Sequence, residues 1–160
     1  MEKVAILGCG TMGHSIALSA AWANYEVIVF GLNEQDIENA KTGLHVKLAT
    51  LLEEEAITQQ TAGLIHSNIK FSTSLQEVVQ DKTFIIEAIP ENLALKQQTF
   101  SQLEEITSET TVIASNTSGI MPSLLAEKMR YPNRLVITHF WNPAHLVPLV
   151  EIVKGDKTDD

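Results

Sequence analysis

The sequence has 160 residues, 44% of them hydrophobic and 19% charged, a composition ordinary for a globular chain whose one core would bury roughly two thirds of its unfolded surface; it is read as a single unit over 1–160. Eleven Lys and Arg against 20 Asp and Glu leave a net charge of −9, and no basic cluster offers a stripe for nucleic-acid phosphates or anionic lipids, so neither is an expected partner. The apolar runs are too short and broken to span a bilayer, no basic region with a cleavage site precedes the first strand pattern, and the one cysteine, Cys9, has no internal disulfide partner, so the expected compartment is a reducing cytoplasm.

Short β-branched runs alternate with longer helical periods, the pattern of a parallel α/β sheet. Val4–Leu7 reads as a buried strand, followed by a glycine turn and a helix over about 12–24 with Ile16, Ala20 and Ala23 on one face. Val27–Phe30 is the second strand. Ile37, Ala40, Leu44, Leu48 and Leu51 then recur at spacings of three and four, predicting a long amphipathic helix. A shorter helix near 58–66 precedes strands at Ile69–Ser72 and Thr83–Glu87. Pro90 and Asn92 open a helix that turns Leu93, Phe100 and Leu103 inward. Thr111–Ser115 and Leu135–His139 read as buried strands and Leu149–Val153 as a last one. No repeat, low-complexity tract or linker interrupts the pattern. It stops soon after that strand, so the expected product is half of something larger or a small module.

Gly8-Cys9-Gly10-Thr11-Met12-Gly13 is a G-x-G-x-x-G motif between a strand and a helix. There Gly8 permits a tight turn, Gly10 lets the backbone approach a pyrophosphate, and Gly13 lets helix pack on strand. The helix N-terminus, from Thr11 and Met12 onward, adds unpaired N–H groups and a positive dipole. The predicted fold is therefore α/β, Rossmann-type and doubly wound, with a mostly parallel sheet and a bound dinucleotide. The acidic residue usual at the tip of the second strand is replaced by Gly31, a loss worth roughly 1–3 kcal/mol of binding. No Arg or Lys follows for a 2′-phosphate, so NAD is the expected cofactor. Asn33 is placed either to bond a ribose hydroxyl or to cap the next helix. Cys9 reads as a small filler beside the pyrophosphate rather than a nucleophile.

Late in the chain, polar groups stand on apolar ground. Ser115-Asn116-Thr117-Ser118-Gly119 and Thr138-His139-Phe140-Trp141-Asn142-Pro143 close two strands, where an open parallel sheet binds its ligands. Glu151, between Leu149-Val150 and Ile152-Val153, reads as a carboxylate in apolar surroundings that needs a partner. A histidine steadied by that carboxylate would serve as a general base; a satisfied core histidine and an edge-strand glutamate are the other reading. Trp141 either walls the pocket or simply packs. His14, His45, His66 and His145 lack metal-ligand spacing, so no metal site is expected.

Taken together, Gly8–Gly13, Glu87-Ala88-Ile89-Pro90-Glu91-Asn92-Leu93 with Lys96, Ser115–Ser118 and His139-Phe140-Trp141-Asn142-Pro143 through Leu149-Val150-Glu151 resemble the NAD-binding domain of the 3-hydroxyacyl-CoA dehydrogenase family. The resemblance implies reversible oxidation of an L-3-hydroxyacyl-CoA to the 3-ketoacyl-CoA with NAD. It makes His139 the base and Glu151 its partner. Ser118 then touches substrate and nicotinamide, Asn142 bonds near the nicotinamide or the substrate oxygen, and Glu91 and Lys96 contact the cofactor; a solvated helix start is the other reading of that last pair. It also implies a C-terminal helical domain, absent from these residues, that completes the acyl pocket and the contacts of a homodimer, so the 160 residues alone are expected to turn over little.

Three features depart from the family pattern. Gly31 stands where the acid belongs. Lys47 and Glu54 align with positions that meet CoA in many members, and Glu54 lies in the acidic run Leu51-Leu52-Glu53-Glu54-Glu55. Pro148 resembles relatives acting on CoA-free hydroxy acids, the L-gulonate and carnitine dehydrogenases. A CoA-free dehydrogenase and a non-catalytic nucleotide-binding module therefore stand as alternatives.

Overall fold

The computed structural model describes residues 2–159. In chain order the elements are β1 (Val4–Leu7), α1 (Thr11–Trp22), β2 (Val27–Phe30), α2 (Glu34–Glu53), α3 (Gln59–Ser67), β3 (Ile69–Ser72), α4 (Leu75–Val79), β4 (Phe84–Glu87), α5 (Leu93–Ile106), β5 (Val112–Ser115), α6 (Pro122–Leu125), β6 (Leu135–Phe140) and β7 (Val150–Lys154). The strands form one sheet in the order β3-β2-β1-β4-β5-β6-β7. All neighbours run parallel except β7, which pairs antiparallel with β6. The chain winds outward in both directions from β1, so β1 and β4 flank the switch point beyond whose carboxyl ends a crevice opens.

The two faces follow the strand period of two. Val4 and Ile6 of β1 face a core built with Ile16, Ala17 and Leu18 of α1, Leu44 and Leu48 of α2 and Ile65 of α3. Ala5 and Leu7 face the other, with Ile85, Ile113, Phe100 and Leu103 of α5 and Leu125 of α6. The five apolar residues expected on α2 are its buried residues. On α1 the expected stripe is replaced by broad burial: Ile16, Ala17, Leu18 and Ala21 are buried while Ala23 lies beyond the helix and is exposed. Small residues let this helix sit between the sheet, α2 and α3, so it shows no single apolar face. The short α4 and α6 were not expected, because five and four residues are too few for a helical period to repeat.

The last strand corrects an expectation. β7 is exposed along all five residues, with Ile152 71% accessible. It is an edge strand paired with β6 alone, and its apolar residues lie on the surface.

Two glycines fix the turn after β1. Gly8 has φ +96°, and a Cβ there would lie 2.6 Å from the Ala88 carbonyl oxygen; a Cβ on Gly13 would lie 1.8 Å from the carbonyl oxygen of Gly8. Gly13→Ala is therefore expected to destabilise the chain by more than about 3 kcal/mol in thermal or urea melts. Gly63→Ala, in α3 with open space around its Cβ position, is expected to be stabilising by about 0.5–1 kcal/mol. Equal effects of the two would show that the Gly8–Gly13 approach is not tight.

Candidate active site

The glycine turn hands the chain into α1 with Gly10 extended (φ −63°, ψ −171°) and no side chain capping the helix. The other helices of five or more residues are each capped by a side chain: α2 by Asn33, α3 by Thr58, α4 by Ser74 and α5 by Asn92. The first N–H groups of α1, those of Thr11, Met12 and Gly13, are thus left without a capping side chain at the switch point, at the positive end of the helix dipole. An uncapped N-terminus and a turn that admits no Cβ at Gly8 or Gly13 fit a dinucleotide pyrophosphate.

The tip of β2 is shaped differently from the usual pattern. Gly31 is buried, and a Cβ there would lie 2.5 Å from Ile37 Cγ1 and 3.1 Å from Cys9 Sγ. As Ile37 and Cys9 stand, they occupy the space that a side chain at position 31 would need. Asn33 resolves to the cap. Its side-chain oxygen accepts from the Asp36 N–H at 2.9 Å and its Nδ2 donates one of its two hydrogens to Asp36 Oδ2 at 3.0 Å. Burial and the nearby Asp36 carboxylate push the Cys9 thiol up, which keeps it protonated and suits a filler.

Beyond the strand tips, a crevice of about 290 Å³ is lined by Met12, Glu91, Lys96, Ser118, His139 and Asn142, with Trp141 at its wall. His139 and Glu151 are register partners across the β6–β7 ladder, and His139 Nδ1 lies 2.7 Å from Glu151 Oε2. The glutamate is not buried, as had been expected; its side chain is 52% accessible. Antiparallel register, not exclusion from water, brings the pair together. The hydrogen bond from His139, aided by one from Trp141, holds the Glu151 carboxyl below its usual range. With Nδ1–H donating a hydrogen bond to the carboxylate, Nε2 keeps its lone pair and is the nitrogen able to take a proton.

A buried network supports this wall. Lys96 is 1% exposed and Glu87 0%, their charged ends 2.6 Å apart, and Glu91 lies 3.1 Å from the same ammonium. Glu87 also accepts from Ser115 Oγ at 2.6 Å and from the Ile89 N–H at 2.8 Å, and Glu91 accepts from Thr117 Oγ1. Partial burial raises the Glu91 carboxyl, but the bonds from Thr117 and Lys96 outweigh it and hold the group below its usual value. Lys96 is therefore no solvated helix start. Glu87, Ser115 and Thr117 were read only as motif letters, and Asn116, whose Oδ1 accepts from the Phe140 N–H at 2.9 Å, ties the tips of β5 and β6 together. The signal for Glu87 was a carboxylate closing an apolar strand.

Lys96→Met would strand Glu87 as a buried charge, at a cost of about 3–5 kcal/mol and roughly 10 °C in Tm. Adding Glu87→Met is expected to recover most of that loss in thermal melts. A single variant as stable as the parent would mean that the pair is solvated.

Residues 3–160 match the family model described as the NAD-binding domain of 3-hydroxyacyl-CoA dehydrogenase. A dehydrogenase of 5-formyl-3-hydroxy-2-methylpyridine 4-carboxylate from Mesorhizobium japonicum is 31% identical over 99% of this chain and 50% of its own length. A peroxisomal fatty acid beta-oxidation multifunctional protein of Arabidopsis thaliana is 35% identical over 99% of this chain and 22% of its own. The solved (S)-3-hydroxybutyryl-CoA dehydrogenase from Ralstonia eutropha superposes with a TM-score of 0.95 at 31% identity, covering 100% of this chain and 56% of that one. The chain thus spans half or less of the length of these curated relatives. On the glycine cradle, the sheet and the match along nearly its whole length, the chain belongs to the 3-hydroxyacyl-CoA dehydrogenase family, as its NAD-binding domain.

Proposed function

We propose that these residues are the cofactor-holding half of a dehydrogenase that oxidises an L-3-hydroxyacyl-CoA to the 3-ketoacyl-CoA, with residues 1–160 acting as a single domain. The observation that carries this reading is the His139–Glu151 contact of 2.7 Å at the edge of the crevice. NAD, when bound, supplies the acceptor for the hydride leaving the substrate carbon. The N–H groups at Gly10–Gly13 would hold its pyrophosphate, and Glu91 and Lys96, which line the crevice, would contact it. Ser118 and Asn142 orient the substrate oxygen by hydrogen bonds. His139 Nε2 takes the hydroxyl proton, and Glu151 fixes the ring and steadies the imidazolium that results. In the complete protein the exposed apolar edge at β7 is covered by the further domain, and the assembly is a homodimer in a reducing cytoplasm.

A second reading has specific support. Lys47, at a position expected to meet CoA, bonds His14 at 2.8 Å, and Glu54 ends α2 as its C-terminal cap within an acidic run. The acidic run disfavours a CoA phosphate at that end of α2 and favours a smaller hydroxy acid. The Mesorhizobium relative is named for a CoA-free carboxylate substrate.

With the chain joined to the C-terminal half of the Ralstonia relative, His139→Gln is expected to lower kcat for 3-hydroxybutyryl-CoA or a CoA-free hydroxy acid by about 10²- to 10⁴-fold, with NADH affinity nearly unchanged. A matching loss of NADH affinity would make His139 structural. Gly31→Asp alone is expected to destabilise, because of Ile37; paired with Ile37→Ala it should tighten NAD about tenfold in titration calorimetry. No tightening in the double variant would remove the ribose explanation.

A further inference from the structure

Three consecutive side chains at the end of β5 tie the crevice wall together, and the middle one keeps donors without an acceptor. Ser115 Oγ donates to Glu87 at 2.6 Å and Thr117 Oγ1 donates to Glu91, so both hydroxyl hydrogens are used inside the wall. Asn116, between them, lines the crevice together with Ser118, His139 and Asn142. Its Oδ1 accepts from the Phe140 N–H at 2.9 Å. A backbone N–H can only donate, so this bond fixes which end of the amide is oxygen and leaves Nδ2 at the other. Nδ2 carries two N–H bonds, meets no acceptor among the described residues and is not enclosed. Asn116 is thus a half-buried amide, held by one end, that offers oriented donors at the crevice.

The other donors around it are already engaged. The Ala88 N–H donates to the Leu7 carbonyl and the Ile89 N–H to Glu87, each at 2.8 Å. The Asn116 N–H goes to the Glu87 carbonyl at 2.8 Å. The Lys96 ammonium is shared among Glu87, Glu91 and the Ile89 carbonyl. Ser118 and Asn142 are assigned above to the substrate oxygen, which leaves Asn116 Nδ2 in need of a partner.

The sheet order says which partner. The glycine cradle follows β1 and His139 lies near the end of β6, with β4 and β5 between them. Three strand spacings, roughly 14 Å, separate the pyrophosphate seat from the base. A nicotinamide that takes hydride from the carbon whose hydroxyl His139 deprotonates has to cover that span, and the tip of β5 lies on the way. The acceptor such a ring carries is the carbonyl oxygen of its carboxamide. We propose that Asn116 orients the cofactor: Nδ2 donates to that carbonyl oxygen, while Oδ1 ties the donor to the strand tip that bears His139. This rests on the dehydrogenase reading. One side chain then sets ring and base in a common frame.

Asn116→Asp keeps an oxygen for the Phe140 N–H and removes the donor. In titration calorimetry on the 160-residue chain it is expected to weaken NADH about tenfold and to leave ADP-ribose, which lacks the nicotinamide, unchanged. NADH is the probe because its ring is uncharged, so the aspartate gains no attraction to it. Equal losses for NADH and ADP-ribose would make Asn116 structural, and an unchanged NADH affinity would overturn the bond. Nitrogen-15 NMR of the unaltered chain reads the same contact without a substitution. NADH should shift the Asn116 side-chain amide signals and slow their hydrogen exchange, and ADP-ribose should do neither. An amide indifferent to NADH, or equally responsive to ADP-ribose, overturns the proposal. Turnover undiminished by His139→Gln in the joined chain would remove the dehydrogenase reading, whereas the Asn116 bond stands or falls on NADH against ADP-ribose.

Discussion

The antiparallel pairing of β7 with β6 is the constraint on which the reactive end of the molecule depends. A parallel strand at that edge would put a different residue opposite His139. The observed register sets Glu151 there, with a hydrogen bond of 2.7 Å. The pair is partly open to water, so its Coulomb energy is modest. What the carboxylate contributes is orientation: it accepts a hydrogen bond from Nδ1–H, which leaves the lone pair on Nε2. The strand that provides it is exposed along its whole length, so ladder hydrogen bonds, register and the side-chain bonds from His139 and Trp141 hold the glutamate in place.

The opposite wall is built on burial. Glu87 and Lys96 compensate each other's charge inside the fold, and the spare bonding capacity of each goes to the groups that shape the crevice: Ser115, the Ile89 backbone, and Glu91 with its Thr117 bond. This wall is costly to disturb and rigid, whereas the His–Glu edge is inexpensive to rearrange.

Much of this was legible in the sequence because the relevant signals are local. The strand Val27–Phe30, the stripe Ile37, Ala40, Leu44, Leu48 and Leu51, and the glycine turn each carry their pattern within one element. Glu151 was singled out correctly as needing a histidine, but for a wrong reason, since an exposed edge strand can be as apolar in sequence as a buried one. Gly31 looked like a simple loss of a ligand; only the three-dimensional packing shows Ile37 and Cys9 in the space that a side chain there would need. The His14–Lys47 bond joins residues 33 apart, and Lys96 reaches back to Glu87 from inside a helix. No spacing rule connects such pairs before the chain folds.

The tautomer of His139 tests the central claim most directly. Nitrogen-15 NMR of the neutral ring in alkaline buffer should show a proton on Nδ1 and a bare Nε2, and Glu151→Leu should erase that preference. A ring protonated on Nε2, or one whose tautomer is indifferent to Glu151→Leu, would contradict the pairing and with it the assignment of His139 as the base.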